Sequence, residues 1–355
     1  MKKIPELDAV RGLAVLVVMV HNLDTYPSLH LWPLSKNGWM GVDLFFVLSG
    51  FLITGILLDA KQQEGYFRNF YARRCLRIWP LYYCVLFFMF VVVPFVRPSD
   101  AHAVFEARSA PWWSYLFYLQ NFLVPVVTLA TGPLSVTWSL AIEEQFYLVW
   151  PLVVRRCSPA QLRRIAIAVI CLSPVLRYLL MHHVNVYSNV FCRLDGLMAG
   201  ALLALALRSD NFVAAKFVKP AWITFLVALP LAIVGEAWNE RWIVYSFVVM
   251  ASSAFVYVSL FSTARWFRAV MTNRFLVFSG TISYGLYLLE KIPGDAAKSF
   301  HLERFPSLAF SLSIVGTYAL AILSWNLLEK PFLRLKRFFE ADPVQVEQTA
   351  ALVNG

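Results

Sequence analysis

Long apolar runs recur along the whole chain, separated by short polar stretches. A helix that crosses a bilayer needs about 20 mostly apolar residues. Windows of that kind fall at 7–25, 39–58, 77–97, 134–154, 165–182, 191–207, 221–236, 242–262, 275–291 and 307–328. The pattern predicts an all-α, polytopic membrane protein with about ten transmembrane helices. The shorter windows are expected to tilt or to thin the bilayer around them. A further stretch, 112–131, is apolar enough to span, but Pro111, Pro125 and Pro133 favour a broken, interfacial or re-entrant segment. No internal repeat is visible. Residues 1–340 read as one membrane domain, and 341–355 as a short polar tail too small to fold alone.

Composition agrees with the pattern. Hydrophobic residues make up 59% of the 355 positions and charged residues 15%, whereas a soluble domain carries about 25% charged residues. The 12 Trp and 15 Tyr suit membrane–water interfaces. The start, Met1-Lys2-Lys3, resembles the head of a signal peptide. The apolar run behind it holds Asp8 and Arg11 and has no small-residue cleavage site, so an uncleaved first helix is expected. Cys75, Cys84, Cys157, Cys171 and Cys192 form no CxxC pair and read as packing residues, with no disulfide framework and no zinc site.

The net charge of +10 points to topology and not to nucleic acid. Basic residues cluster in alternate connections: Lys2 and Lys3; Lys61, Arg68, Arg73, Arg74 and Arg77; Arg155, Arg156, Arg163 and Arg164; Arg208, Lys216 and Lys219; Arg265, Arg268 and Arg274; Lys330, Arg334, Lys336 and Arg337. By the positive-inside rule these connections and both termini are expected in the cytoplasm. Counting 112–131 as a span would move Arg155 and Arg156 outside, a second reason to treat it as an outer, non-spanning segment.

Ionisable groups inside spans are costly and are functional candidates by default. They are Arg11, His21, Asp43, Glu143, Glu144, Arg177, Arg193, Asp195, Glu290 and Lys291. The predicted orientation brings most of them, His21 and Glu143 among them, into the outer half of the membrane, with Arg11 nearer the inner half. Asp43 and Asp195 could equally be first-turn acids of their helices, and Arg177 and Arg193 their structural partners. Lys291 is expected to snorkel to the interface. Of Glu143 and Glu144, one faces a cavity while its neighbour turns about 100° away. A histidine near a carboxylate can act as general base on a hydroxyl. Ser49 could be a nucleophile, but Ser49 and Gly50 read better as small helix-packing residues. On the inner side, FRNFYARRCLRIWP sets Arg68, Arg73, Arg74 and Arg77 among aromatic residues. Guanidinium forks suit phosphates, so a phosphate-rich cofactor such as coenzyme A fits there. No nucleophile elbow, HExxH, P-loop or GxGxxG supports a hydrolase, zinc enzyme or NTPase.

Seven blocks carry a resemblance: IPELDAVRGLAVLVVMVHN at 4–22, GVDLFFVLSGFLIT at 41–54, YARRCLRIWPLY at 71–82, WSLAIEEQFYLVWP at 138–151, RLDGLMAGALLA at 193–204, ISYGLYLL at 282–289 and LLEKPFLRL at 327–335. Together they resemble the membrane-bound acyltransferase 3 family, which includes O-antigen and exopolysaccharide O-acetylases. The resemblance implies a multi-pass protein of the bacterial cytoplasmic membrane. It would transfer an acyl group, acetyl first of all, from cytosolic acyl-CoA to a hydroxyl of a sugar or surface glycan, without a metal or nucleic acid. It implies catalytic roles for Arg11, His21 and Glu143, with Glu143 expected to orient His21 as the general base, and acyl-CoA binding by Arg73, Arg74 and Arg77, with Arg68 beside them. Asp43, Arg193, Asp195 and Trp138 are expected to line the acceptor side.

Two departures accompany the resemblance. Nine residues separate Arg11 from His21 where the family has ten, which on a helix turns the His by about 100°. Either a bulge compensates or the two do not share a face. Glu290 stands where many members have a His after the SYxLYL run. No extra C-terminal extracytoplasmic domain of the kind some members carry is expected here. The alternatives are a transporter or flippase of a glycan or acylated substrate, and an inactive paralogue acting as a sensor or scaffold.

Overall fold

The computed structural model describes residues 4–23, 34–96, 110–124, 132–209, 212–237 and 241–339. The described residues are helical, and no strand occurs among them. The main helices are α1 (Pro5–Leu23), α2 (Gly41–Asp59), α3 (Tyr66–Phe87), α4 (Thr137–Arg156), α5 (Pro159–Leu180), α6 (Val190–Ala206), α7 (Ala214–Ala237), α8 (Arg241–Phe261), α9 (Arg274–Thr281), α10 (Ser283–Leu289), α11 (Lys291–Ser299) and α12 (Pro306–Ser324). Five helical stretches are long and apolar enough to cross a bilayer: Ser35–Asp59, Tyr66–Val96, Ala214–Glu236, Trp242–Phe261 and Pro306–Phe339.

Local chemistry accounts for several helix ends. Ser158 caps α5 in a full capping box with Gln161, and Pro159 takes the first helical position, where its missing N–H costs nothing. Arg155 and Arg156 close the last turn of α4, where cations meet the negative end of the helix dipole. Asn189 caps α6 by accepting from the Phe191 N–H.

The centre of the bundle is the contact of α2 with α6. A methyl group at Gly50 would collide with the backbone oxygen of Leu197, and one at Gly200 with that of Val47. The two backbones therefore touch, which only glycine permits. Two ion pairs brace the neighbouring helices. Arg193 on α6 donates to Asp43 on α2 at 2.8 Å, and Arg177 on α5 donates to Asp195 on α6 at 2.7 Å. Arg177 also reaches the Trp242 and Cys192 carbonyls and the Ser246 hydroxyl, so its guanidinium ties α5 to both α6 and α8.

Two expectations change. The arginine-rich segment is not a connection before a span at 77–97. It forms the first turns of α3, which starts at Tyr66 and runs on through a π-turn to Val96. The window at 275–291 is not one continuous helix. It breaks at Ile282 and Glu290 into α9, α10 and α11, with α9 packed so closely on α1 that a methyl at Gly280 would meet the Asp8 carbonyl. The stretch 112–131 is a single short helix, Trp112–Leu116, and a 3-10 turn, Gln120–Phe122, as its prolines suggested. Its residues 125–131 lie outside the described residues, as do the tail positions 340–355.

Candidate active site

A cavity of about 690 Å³ runs alongside α2 from Asp59 to Val42. Seventeen residues of helix correspond to a path of roughly 25 Å. One end is basic: Arg73, Arg74 and Arg77 of α3, Arg11 of α1 and Lys336. The spacing of 73, 74 and 77 puts the three guanidiniums on one side of α3. Arg73 donates to the Phe339 carbonyl at 2.8 Å, which holds the segment carrying Lys336 against α3. Arg74 lies 5.5 Å over the Tyr147 ring and 5.9 Å over Phe70. At the rim, Asp59 is occupied by Arg208 through two bonds of 2.8 Å. Cations thus outnumber free carboxylates, and the cavity favours an anion.

Midway along the cavity stand Ser49, Glu143 and Tyr147. Ser49 Oγ donates to Glu143 Oε1 at 2.6 Å, and Tyr147 OH to Oε2 at 3.3 Å. Positions 143, 147 and 150 fall on one stripe of α4. The stripe faces α2 throughout, because Trp150 Nε1 donates to Thr54 Oγ1 at 2.8 Å. Glu144 turns away from the cavity, as a step of about 100° requires.

A smaller cavity of about 70 Å³ abuts the far end. It is lined by His21 and Asn22, the rings of Trp39, Trp138 and Tyr187, Ser135, Ser188 and Lys291. His21 Nδ1 donates to the Ser35 carbonyl at 2.5 Å. A carbonyl can only accept, so this bond puts the proton on Nδ1 and makes Nε2 the basic nitrogen. Asn22 donates to Glu290 Oε1 at 2.5 Å, drawing that carboxyl to the edge of the same region.

The predicted residues therefore divide. Arg11, Arg73, Arg74, Arg77 and Glu143 meet in the large cavity, and His21 meets Trp138 in the small one. Arg68 is exposed and lines neither. Asp43, Arg193 and Asp195 line neither cavity and are buried in the ion pairs described above, a structural placement in place of the expected acceptor side. Glu143 is not the partner that orients His21, since its oxygens accept from Ser49 and Tyr147 while the Ser35 carbonyl holds the imidazole. The reason is axial. α1 is a regular helix from Pro5 to Leu23 with no bulge. Ten residues from Arg11 to His21 span about 15 Å and leave the side chains some 80° apart.

Several residues were read differently from the sequence, or missed. Ser49 bonds to Glu143 in the cavity wall, while its neighbour Gly50 does the packing. Lys291 lines the His21 cavity, where snorkelling was expected. Lys336 joins the arginines from the far end of the chain. A backbone carbonyl such as that of Ser35 leaves no signal in a sequence at all.

Comparisons with known proteins identify the family of the chain. A sequence model of the family described as an acyltransferase domain, acyltransferase 3, matches residues 4–326. The O-acetyltransferase OatA of Staphylococcus aureus, in strains NCTC 8325 / PS 47 and COL, is 27% identical over 367 residues, covering 94% of this chain and 58% of OatA. A second protein of S. aureus strain COL, provisionally named as an O-acetyltransferase, is 28% identical over 358 residues with the same coverage. The chain thus spans 58% of the length of the curated relatives it matches. No solved structure matches it significantly. By its match over nearly the whole sequence, the chain belongs to the acyltransferase 3 family of membrane acyltransferases.

Proposed function

We propose that the chain moves an acyl group, acetyl first of all, from cytosolic acyl-CoA to a hydroxyl of a sugar or cell-surface glycan. The observation that carries this reading is the pair of abutting cavities, one basic and long, the other holding a histidine among aromatic rings. In this reading the bundle crosses the bacterial cytoplasmic membrane about ten times, each crossing needing some 20 residues where it runs straight. Both termini face the cytosol, so the arginine end opens inward and the His21 end outward.

Arg73, Arg74, Arg77 and Lys336 hold the phosphates of the donor, where guanidinium forks pair with phosphate oxygens. The volume of about 690 Å³ lies within the usual range for small-molecule sites. Arg11, Ser49 and Glu143 line the path that the pantetheine arm follows toward His21. At the outer end, Trp138, Trp39 and Tyr187 offer apolar faces to a sugar ring, and Ser135 and Ser188 offer hydroxyl partners. The acceptor hydroxyl loses its proton to His21 Nε2 and its oxygen attacks the thioester carbonyl. The C–S bond then breaks, and the thiolate leaves as CoA–SH with the proton that His21 returns. The carbonyl of Ser35 stabilises the imidazolium formed on the way.

The test is mass spectrometry of surface glycans from cells with and without the gene, and with His21→Ala expressed to the same level. Acyl groups present only with the native gene support the reading. Acylation that persists with His21→Ala sinks the general-base role. Glycans that change in amount at the surface, and not in acylation, would favour a flippase.

A further inference from the structure

The two cavities have two lining residues in common, Val42 and Tyr287. Val42 sits in the first turn of α2 and is 4% exposed. Tyr287, on α10, is held at both ends. Its hydroxyl donates to the Val136 carbonyl at 3.0 Å and lies 2.7 Å from Ser139 Oγ, and its ring packs at 6.1 Å from Phe45. Ser139 and Phe45 face the large cavity, while His21 and Trp138 stand beyond the divide. The divide is thus made by a buried valine and by a tyrosine whose hydroxyl is held by hydrogen bonds, and not by a loose side chain.

An acyl group carried on a thioester in the large cavity has to pass Val42 and Tyr287 to meet a hydroxyl at His21. We infer that these two residues form an aperture that selects short acyl chains, and so set the donor specificity of the enzyme. The inference rests on the reading that the large cavity holds acyl-CoA. A well-packed core does not yield to extra methylenes without strain. An apolar site discriminates by roughly 10- to 200-fold for each methylene it gains or loses. Acetyl has no methylene beyond its methyl group, and longer chains would have to displace the Val42 side chain or tear the Tyr287 hydroxyl from Val136 and Ser139.

The test is competition between acetyl-CoA and butyryl-CoA or hexanoyl-CoA on purified, reconstituted protein, read as the ratio of kcat/KM values. Wild type is expected to prefer acetyl. Val42→Ala is expected to shift the ratio toward the longer donors by about tenfold or more. Val42→Leu, which narrows the opening, shifts it further toward acetyl or slows acetyl transfer itself. Tyr287→Phe keeps the ring, frees it from Val136 and Ser139, and is expected to relax selectivity less than Val42→Ala. The opposite directions at Val42 separate an aperture from mere loss of stability, and melting curves of each variant accompany the assay. Equal use of acetyl and hexanoyl donors by wild type overturns the inference, as does an unchanged ratio in folded Val42→Ala and Val42→Leu. If wild type turns over no acyl-CoA of any length, the donor reading itself has failed.

Discussion

Replacing Asp43 with Asn separates a structural role from a substrate-binding one. The Asp43 carboxylate pairs with Arg193 at 2.8 Å, and the two side chains are 1% and 0% exposed. Beyond Asp43, Arg193 has only aromatic faces around it among the described residues, those of Phe46, Tyr187 and Tyr245. Its Nε and Nη1 have no hydrogen-bond partner, although its guanidinium lies 4.2 Å over the Tyr245 ring. A cation–π contact of a desolvated Arg contributes about 2 kcal/mol, too little to replace a counter-ion. Removing one partner of a buried pair typically costs about 3–5 kcal/mol, because the other charge is left uncompensated. Asp43→Asn is nearly the same shape, so packing at α2 and α6 stays intact and the loss is electrostatic. The assay is unfolding of the purified protein in mild detergent, alongside the activity of whatever fraction remains folded. The double variant Asp43→Asn/Arg193→Met, which removes both charges, is expected to recover most of the lost stability, since apolar replacements of buried pairs are often neutral or better. Unchanged stability in Asp43→Asn together with abolished turnover would refute the reasoning and return Asp43 to the acceptor site.

Other consequences are as direct. Arg77→Ala is expected to weaken CoA binding about 10- to 100-fold, the worth of one charge-assisted bond of about 1.5–3 kcal/mol, as measured by titration at low salt. Glu143→Gln is expected to leave unmoved the pH midpoint that reports His21, because its contacts are to Ser49 and Tyr147; a shifted midpoint would contradict that assignment. Gly50→Leu is expected to destabilise the protein by about 1–3 kcal/mol or more, since even a methyl there meets the Leu197 carbonyl, and its unfolding curve reports this.

The apolar pattern along the chain marked where most of the helices lie, although α3 begins eleven residues before its window. It did not reveal the break at Ile282 and Glu290, since the residues from Phe275 to Leu289 are apolar enough to read as one helix, while the close approach of α9 to α1 at Gly280 is a matter of tertiary packing. At the site, the arginines of α3 were legible because three of them share one helical face, at a density greater than topology alone demands. The ion pairing of Asp43, Arg177, Arg193 and Asp195 was legible only as one of two alternatives, because pairing between α2 and α6, and between α5 and α6, is a matter of three-dimensional register. The Glu143 side chain illustrates the same limit. Its identity suggested partnership with His21, but the axial distance between them is set by how far α4 and α1 each penetrate the bundle. Spacing within one helix was more dependable: the ten-residue step from Arg11 to His21 in a helix without a bulge is enough to send the two side chains to different cavities.

The central claim is that a CoA thioester binds at the arginine end and reacts at the His21 end. It is tested most directly by following radiolabelled acetyl from acetyl-CoA into glycan in reconstituted membranes, with CoA binding measured on the same samples. The account predicts transfer by the native protein, binding without transfer by His21→Ala, and neither binding nor transfer by the combined Arg73→Ala/Arg74→Ala/Arg77→Ala variant. Native-level transfer by His21→Ala, or undiminished CoA binding by the triple arginine variant, would contradict it.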